Sequence, residues 1–254
     1  MNTDIFSQID LLWPALVAGL IVLASHVPLG MTVLARGIIF IDLAIAQVAG
    51  LGAVAAHLAD WGDHPWAVQG AAVTAAVGAA LLLTWTERRL PRLQEALIGL
   101  LFVLAASGTA LLLTGDAHGG ERLRDMLVGQ MLWVSHEQLI ASALASAALA
   151  VLWAACGRRS AGLLFYLLFA VAVTISVQLV GVYLVFASLI VPALASHGMA
   201  RWRLLAAYAV GMVGYVAGLL ISALFDSPAG AATVWALAAS GLAFSLLRWT
   251  WRGA

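Results

Sequence analysis

The sequence has no lysine, a single cysteine (Cys156) and few charged residues of any kind. Charged residues make up 9% of the 254 residues, whereas soluble domains carry about 25%. The absence of lysine excludes both an ATP-binding phosphate loop and Schiff-base chemistry, because each needs that side chain. One cysteine permits neither an intrachain disulfide nor a thiolate metal cluster. A soluble enzyme, a nucleic-acid-binding protein and a disordered chain are therefore excluded as leading interpretations.

Long apolar runs fill the sequence instead, and 64% of its residues are hydrophobic. A membrane-spanning helix needs about 20 mainly apolar residues, and continuous rather than alternating runs favour helices over barrel strands. The predicted spans are residues 11–34, 38–58, 66–85, 96–114, 139–155, 163–180, 204–225 and 230–247, with 183–196 as a further span if it crosses fully. Residues 126–134 are too few to cross. We expect an all-α polytopic membrane protein with eight or nine transmembrane helices, a short re-entrant segment and one transmembrane domain over residues 1–254.

The arginines are distributed unevenly between the two ends of the predicted spans. If the spans alternate from Arg36, ten of the twelve arginines lie on one side, and only Arg122 and Arg124 lie on the other. The positive-inside rule then predicts an external N-terminus and a cytoplasmic C-terminus. No basic stretch precedes the first apolar run, so we expect the first span to be retained rather than cleaved as a signal peptide.

Acidic residues and histidines collect in the loops that this topology places outside. They form either ordinary solvated loops, or a vestibule that attracts cations, or a docking face for a metal-delivering partner. These residues are Asp4, Asp10, Asp60, Asp63, Asp116, Glu121, Asp125, Asp226, His57, His64 and His118.

Three of the polar residues inside the predicted spans are candidates for a functional site. A charge in mid-bilayer costs about 2.5–3.5 kcal/mol on insertion scales, so Asp42 in the second span requires an explanation. If the first two spans form an antiparallel hairpin around Arg36, His26 and Gln47 lie at nearly equal depth, about 15 Å from that turn. Imidazole, carboxylate and amide oxygen suit a divalent cation such as zinc or manganese. We therefore take His26, Asp42 and Gln47 as candidate metal ligands.

Each of these residues also has an ordinary structural alternative. His26 can form a hydrogen bond with a backbone carbonyl near Pro28, where the helical hydrogen-bond ladder is broken. Asp42 can pair with Arg36, and the amide of Gln47 can link neighbouring helices. The sequence leaves both interpretations open at all three positions.

Catalytic patterns are incomplete in this sequence. His136 and Glu137 are adjacent but lack the second histidine of a zinc-protease helix. Ser107 and Gly108 lack the pattern that precedes a serine nucleophile. We predict no catalytic residue and no permanently bound cofactor.

Five segments, in order along the chain, resemble the permease subunits of bacterial zinc/manganese ABC importers. Residues 126–139 resemble the short re-entrant element of that family, residues 177–196 are the closest match, and residues 225–231 resemble its Asp-x-Pro-x-Gly turn. The segments are HVPLGMTVLARGIIFIDLAIAQVAGLG (26–52), EALIGLLFVLAASGTALLL (95–113), MLVGQMLWVSHEQL (126–139), VQLVGVYLVFASLIVPALAS (177–196) and FDSPAGA (225–231).

The resemblance implies a homodimeric permease with a central path in the bacterial inner membrane, in contact with lipid and with no nucleic acid. A separate ABC ATPase would hydrolyse ATP, and an extracytoplasmic metal-binding protein would deliver zinc or manganese as cargo. The chain itself would be a transport subunit rather than an enzyme. Asp42 matches the path aspartate of the family. Ala46 and Gln47 occupy the region of the family's path histidine, for which His26 could compensate.

Residues 157–161 depart from the family, whose members usually carry a cytoplasmic coupling helix before the span that contains the Gln-x-Val-Gly stretch. Such a short loop cannot form that helix. Coupling to an ATPase would then use residues 86–95. The alternative function is an ATP-independent metal channel or a secondary transporter built on the same scaffold.

Overall fold

The computed structural model describes residues 5–61, 64–116, 118–156 and 162–252, and these residues contain helices and no strand. Their α-helices are α1 (Ile5–Arg36), α2 (Ile41–Ala56), α3 (Pro65–Arg89), α4 (Gln94–Leu112), α5 (Gly119–Val128), α6 (His136–Cys156), α7 (Leu163–Val180), α8 (Val182–Ala195), α9 (Arg203–Phe225) and α10 (Ala229–Arg252). Eight of these helices are long and apolar enough to cross a membrane, and α5 and α8 are the other two. The prediction of an all-α polytopic membrane protein is confirmed.

Helix α8 is short: it begins beside the start of α10 and ends beside the middle of α10, where Gly241 lies against Val191 and Ala195. Gly181, just before α8, packs against the backbone of Val128, and Gly230 at the start of α10 packs against the same residue. At the other end of α8, Arg248 of α10 donates a hydrogen bond from Nη1 to the carbonyl oxygen of Ala195 at 2.8 Å. Helix α8 therefore runs in the same direction as α10, and the predicted span at 183–196 is a 14-residue helix that lies beside the first half of α10.

The predicted re-entrant segment, residues 126–134, contains the last three residues of α5 and the 3₁₀ turn Met131–Trp133 that follows it, whereas most of α5 precedes it. Helix α5 ends at Gly129, whose φ is +76°, and α7 is separated from α8 by Gly181, whose φ is +83°. Both values lie in the left-handed region that favours glycine. A Cβ on Gly181 would lie 2.6 Å from the carbonyl carbon of Val128. The two turns can therefore meet backbone to backbone only because both are glycine.

One end of the bundle is held together by stacking and by a buried hydrogen-bond network. The guanidinium carbon of Arg36 lies 4.1 Å from the centre of the Phe165 ring. Gln94 accepts a hydrogen bond from Thr86 at 2.9 Å and donates one to the hydroxyl of Tyr166 at 3.3 Å. This network attaches the turn between α3 and α4, which includes the predicted docking segment 86–95, to the start of α7. We call this end, which contains Arg36, Gln94 and Phe165, the arginine end.

Helices α1 and α2 do not pack against each other as the predicted hairpin. Within the described residues, α1 packs mainly on α8, α9 and α6, and α2 packs on α3 and α4, while α7 and α8 touch both. The hairpin was the condition for the equal depth of His26 and Gln47; in the structure small residues, rather than adjacency along the chain, select the partner helix. Gly30 of α1, for example, lies directly against the backbone of Leu189 in α8.

Candidate functional site

Asp42 lies in the first turn of α2 and is fully buried. Neither of its carboxylate oxygens has a hydrogen-bond partner among the described residues. Arg36 stacks on Phe165 instead, so the alternative of an Asp42–Arg36 ion pair is not what the structure contains. The helix N-terminus supplies a favourable dipole for a negative charge. That contribution does not replace the missing hydrogen bonds, and a buried carboxylate without them indicates a functional position.

His26 lies in α1 and is also fully buried. Its Nδ1 atom is 3.1 Å from the carbonyl oxygen of Val22 and 3.0 Å from the hydroxyl of Ser25. The bond to the carbonyl places the ring hydrogen on Nδ1, which leaves the lone pair on Nε2. Nε2 has no hydrogen-bond partner among the described residues. Histidines that bind metals commonly have this arrangement, with one ring nitrogen donating to a carbonyl and the other free to coordinate.

Gln47 lies in the middle of α2 and is 3% exposed. It lines a groove of about 570 Å³ whose other walls include Leu43, Phe102, Tyr183 and Phe186. We call this the apolar groove. Five residues separate Asp42 from Gln47, so their side chains point about 140° apart around the helix. These two predicted ligands therefore face different sides of α2.

The three predicted ligands do not form one preassembled cluster. His26 is on α1, which does not pack on α2, the helix that carries Asp42 and Gln47. In the described part of the chain, no group of three or more histidine, cysteine, aspartate or glutamate side chains is placed to hold a metal ion. The metal-binding role of His26, Asp42 and Gln47 stays a prediction.

A polar cavity of about 420 Å³ lies at the end of the bundle opposite the arginine end. Its walls come from α2, α3, α4, α5, α6 and α7 and from loops next to these helices. The polar residues that line it include His57, Asp116, Arg122, Asp125, Gln130, Gln138 and Gln178. The loop residues that were considered for a vestibule thus divide into two groups. His57, Asp116 and Asp125 line the cavity, whereas His64, His118 and Asp226 do not.

Two polar contacts organise the wall of this cavity. Nε of Arg122 lies 3.0 Å from Oδ2 of Asp116, and the amide of Gln130 donates to Asp125 at 2.7 Å. Sequence reasoning did not select Arg122, although Arg122 and Asp125 are three residues apart and so share one face of α5. That spacing is the signal that would have placed Arg122 in the cavity.

A bundle of long apolar helices, a buried carboxylate without partners and a polar cavity at one end together define an integral membrane transport protein. The sequence pattern of the ABC 3 transport family matches residues 8–161 and 158–248, and the chain belongs to this family. The resemblance to permease subunits of metal ABC importers is thereby confirmed. The chain is a membrane transport subunit rather than an enzyme, and ATP hydrolysis belongs to a separate chain.

The fold is similar to that of a solved structure described as PsaBC from Streptococcus pneumoniae in complex with Fab. The TM-score is 0.74 and the identity 21%, and the similarity covers 96% of this chain and 95% of the solved chain. No curated protein matches the sequence. Residues 157–161, the main support for an ATP-independent transporter, lie outside the described residues, and the family match does not favour that alternative.

Proposed function

We propose that this chain is the permease subunit of an importer that moves a divalent metal ion, zinc or manganese, inward across a bacterial inner membrane. A separate ABC ATPase would drive transport, and an extracytoplasmic metal-binding protein would deliver the ion. A second copy of the chain would complete the path. The arginine asymmetry supports an external N-terminus and a cytoplasmic C-terminus.

The observation that carries this proposal is the burial of Asp42 without a partner. An aspartate at the protein surface would be hydrated or would pair with a cation, and a buried aspartate with a purely structural role would accept a hydrogen bond from a donor. In this bundle Asp42 has neither Arg36 nor any other described donor within hydrogen-bond distance. A transported cation is a partner that is present only part of the time, which would explain why this buried carboxyl group has no fixed partner.

The positions along α2 support a path rather than an isolated site. Asp42 lies in the first turn of this helix, and His57 of the polar cavity comes directly after its last residue. Fifteen residues separate the two, or about 22 Å along the helix axis. The polar cavity would face outside and receive the metal ion. Asp42 would then contact the ion near the cytoplasmic arginine end. Carboxylate and imidazole groups suit zinc or manganese.

The test uses the native bacterium under metal limitation, with the gene deleted and replaced by variants. Cellular zinc and manganese are measured by mass spectrometry, and the amount of protein in the membrane is measured on a tag. We expect Asp42→Asn and Asp42→Ala to abolish uptake of one metal while the protein still inserts. Asp226→Asn, the same chemical change at an exposed turn, is the matched control and should transport normally.

Two results would contradict different parts of the proposal. If deletion of the gene changes uptake of neither metal, metal import is wrong. If Asp42→Asn transports normally, the assignment of Asp42 to the path is wrong. Affinity purification after cross-linking tests the partners, and a preparation without an ATPase would instead favour the ATP-independent transporter.

A further inference from the structure

The polar cavity contains an arginine in its wall. Arg122, in α5, lines the cavity and forms an ion pair with Asp116, with a distance of 3.0 Å between Nε and Oδ2. The side chain of Arg122 is 47% exposed and that of Asp116 is 21% exposed. Both groups are therefore accessible to an ion that enters the cavity from solvent.

The charges around this arginine are unequal. Among the described lining residues, Asp116 and Asp125 are acidic and Arg122 is the only arginine. Asp125 is bound by the neutral amide of Gln130 at 2.7 Å. The positive charge that offsets the two carboxylates therefore comes from Arg122. Without it, the cavity wall would present two carboxylates to any cation that entered.

We propose that Arg122 is a tethered counter-cation that controls the entry of divalent ions into the polar cavity. While the guanidinium is paired with Asp116, a free divalent cation that enters the cavity is repelled by the positive charge of Arg122. It also cannot bind the carboxylate of Asp116, which is already occupied. An ion that is delivered at close range competes with the guanidinium for Asp116. A half-exposed ion pair of this kind is weak and opens readily, so the exchange is feasible. This inference rests on one part of the proposed function, namely that the transported ion enters through the polar cavity.

The chain offers a matched control for this inference. Arg124 lies on the same helix and is exposed, but it does not line the cavity. Replacing Arg122 or Arg124 with glutamine removes the same charge from α5. Only the change at Arg122 should alter cation binding at Asp116, because Arg122 and not Arg124 forms the ion pair with that carboxylate.

The experiment measures Mn²⁺ binding to the purified full chain in detergent, using the loss of the free Mn²⁺ signal in electron paramagnetic resonance. We expect Arg122→Gln to bind Mn²⁺ about tenfold more tightly than the unchanged chain, because the attraction of a dication to Asp116 is no longer opposed. Arg122→Lys and Arg124→Gln should bind like the unchanged chain. Asp116→Asn, combined with Arg122→Gln, should remove the gain.

The proposal is overturned if Arg122→Gln binds Mn²⁺ no more tightly than Arg124→Gln. It is equally overturned if the gain persists when Asp116 is replaced. Arg122→Ala provides a second variant without the charge if the glutamine variant does not fold. Because binding is measured without transport, a gain in binding together with absent cellular uptake would contradict the proposed import and leave the role of Arg122 standing.

Discussion

Replacing Asp42 with asparagine should separate the stability of this protein from its activity. The substitution keeps the shape of the side chain and removes its charge. A charge within the bilayer costs about 2.5–3.5 kcal/mol on insertion scales, whereas an uncharged buried polar group without a hydrogen bond costs about 1–3 kcal/mol. Because neither oxygen of Asp42 has a described partner, the asparagine loses no hydrogen bond. Because the first value applies to mid-bilayer and Asp42 lies in the first turn of α2, we expect a net gain in stability of at most about 2 kcal/mol.

This gain is large enough to measure as a shift in the unfolding temperature. For domains of 150–250 residues, 1 kcal/mol corresponds to about 2–4 °C, so Asp42→Asn should raise the midpoint by up to about 8 °C and should not lower it. The assay is tryptophan fluorescence of the detergent-solubilised chain during heating, which benefits from its ten tryptophans. Metal uptake by the same variant in cells should fall to the level of the gene deletion.

Asp226→Asn is the control for this measurement as well. Asp226 is exposed and has a φ of +49°, a left-handed conformation that asparagine also adopts readily. Its stability and uptake should therefore stay close to those of the unchanged chain. The reasoning would be refuted if Asp42→Asn lowered the unfolding temperature and lost uptake only in proportion to the lost protein, because Asp42 would then be a structural residue with an undetected partner.

Three further variants test other parts of the structure. Gly181→Ala places a Cβ against the backbone at the end of α5 and should lower the unfolding temperature. Gly198→Ala is the control and should lower it less, because Gly198 also has a positive φ but no atom within 4 Å of the position a Cβ would take. Equal effects would show that the close contact at Gly181 is not needed. Gln94→Leu leaves the hydroxyl of Thr86 without one of its partners. It should lower the free energy of unfolding by about 1–3 kcal/mol, seen as a lower midpoint in the same heating assay. An unchanged midpoint would argue against a stabilising role of the network. His26→Ala should reduce metal uptake in cells, and His26→Cys, which retains a metal-binding atom, should restore part of it; equal loss in both variants would argue for packing alone.

Much of the fold follows from the apolar runs of the sequence. The predicted spans fall within or close to the observed helices, because a bilayer leaves few alternatives to a helix for a long apolar segment. The break at Gly181 was also predictable, since glycine interrupts an otherwise continuous run there. The ends are less exact. The first helix begins at Ile5 rather than at residue 11, because polar residues can extend a helix beyond the hydrocarbon.

The packing of the helices could not be predicted from the runs. Adjacency along the chain suggested that α1 and α2 form a hairpin, whereas the fit of Gly30 against Leu189 places α8 beside α1. Such a fit depends on shape at a distant point of the sequence, which periodicity does not report. The candidate site shows the same limit. Burial of Asp42 was predicted, but its lack of a partner depends on Arg36 turning toward Phe165.

The attachment of α8 to α10 at both ends has a mechanical consequence. Near one end, the backbone of Val128 touches both Gly181 and Gly230, and at the other end Arg248 holds the carbonyl of Ala195. Helix α8 has 14 residues, with Pro192 in its interior, and is about 21 Å long. It cannot tilt without moving α10. A displacement of α8 at Ala195 is thus shared with α10 and with the backbone of Val128, which adjoins Gly129 in the wall of the polar cavity.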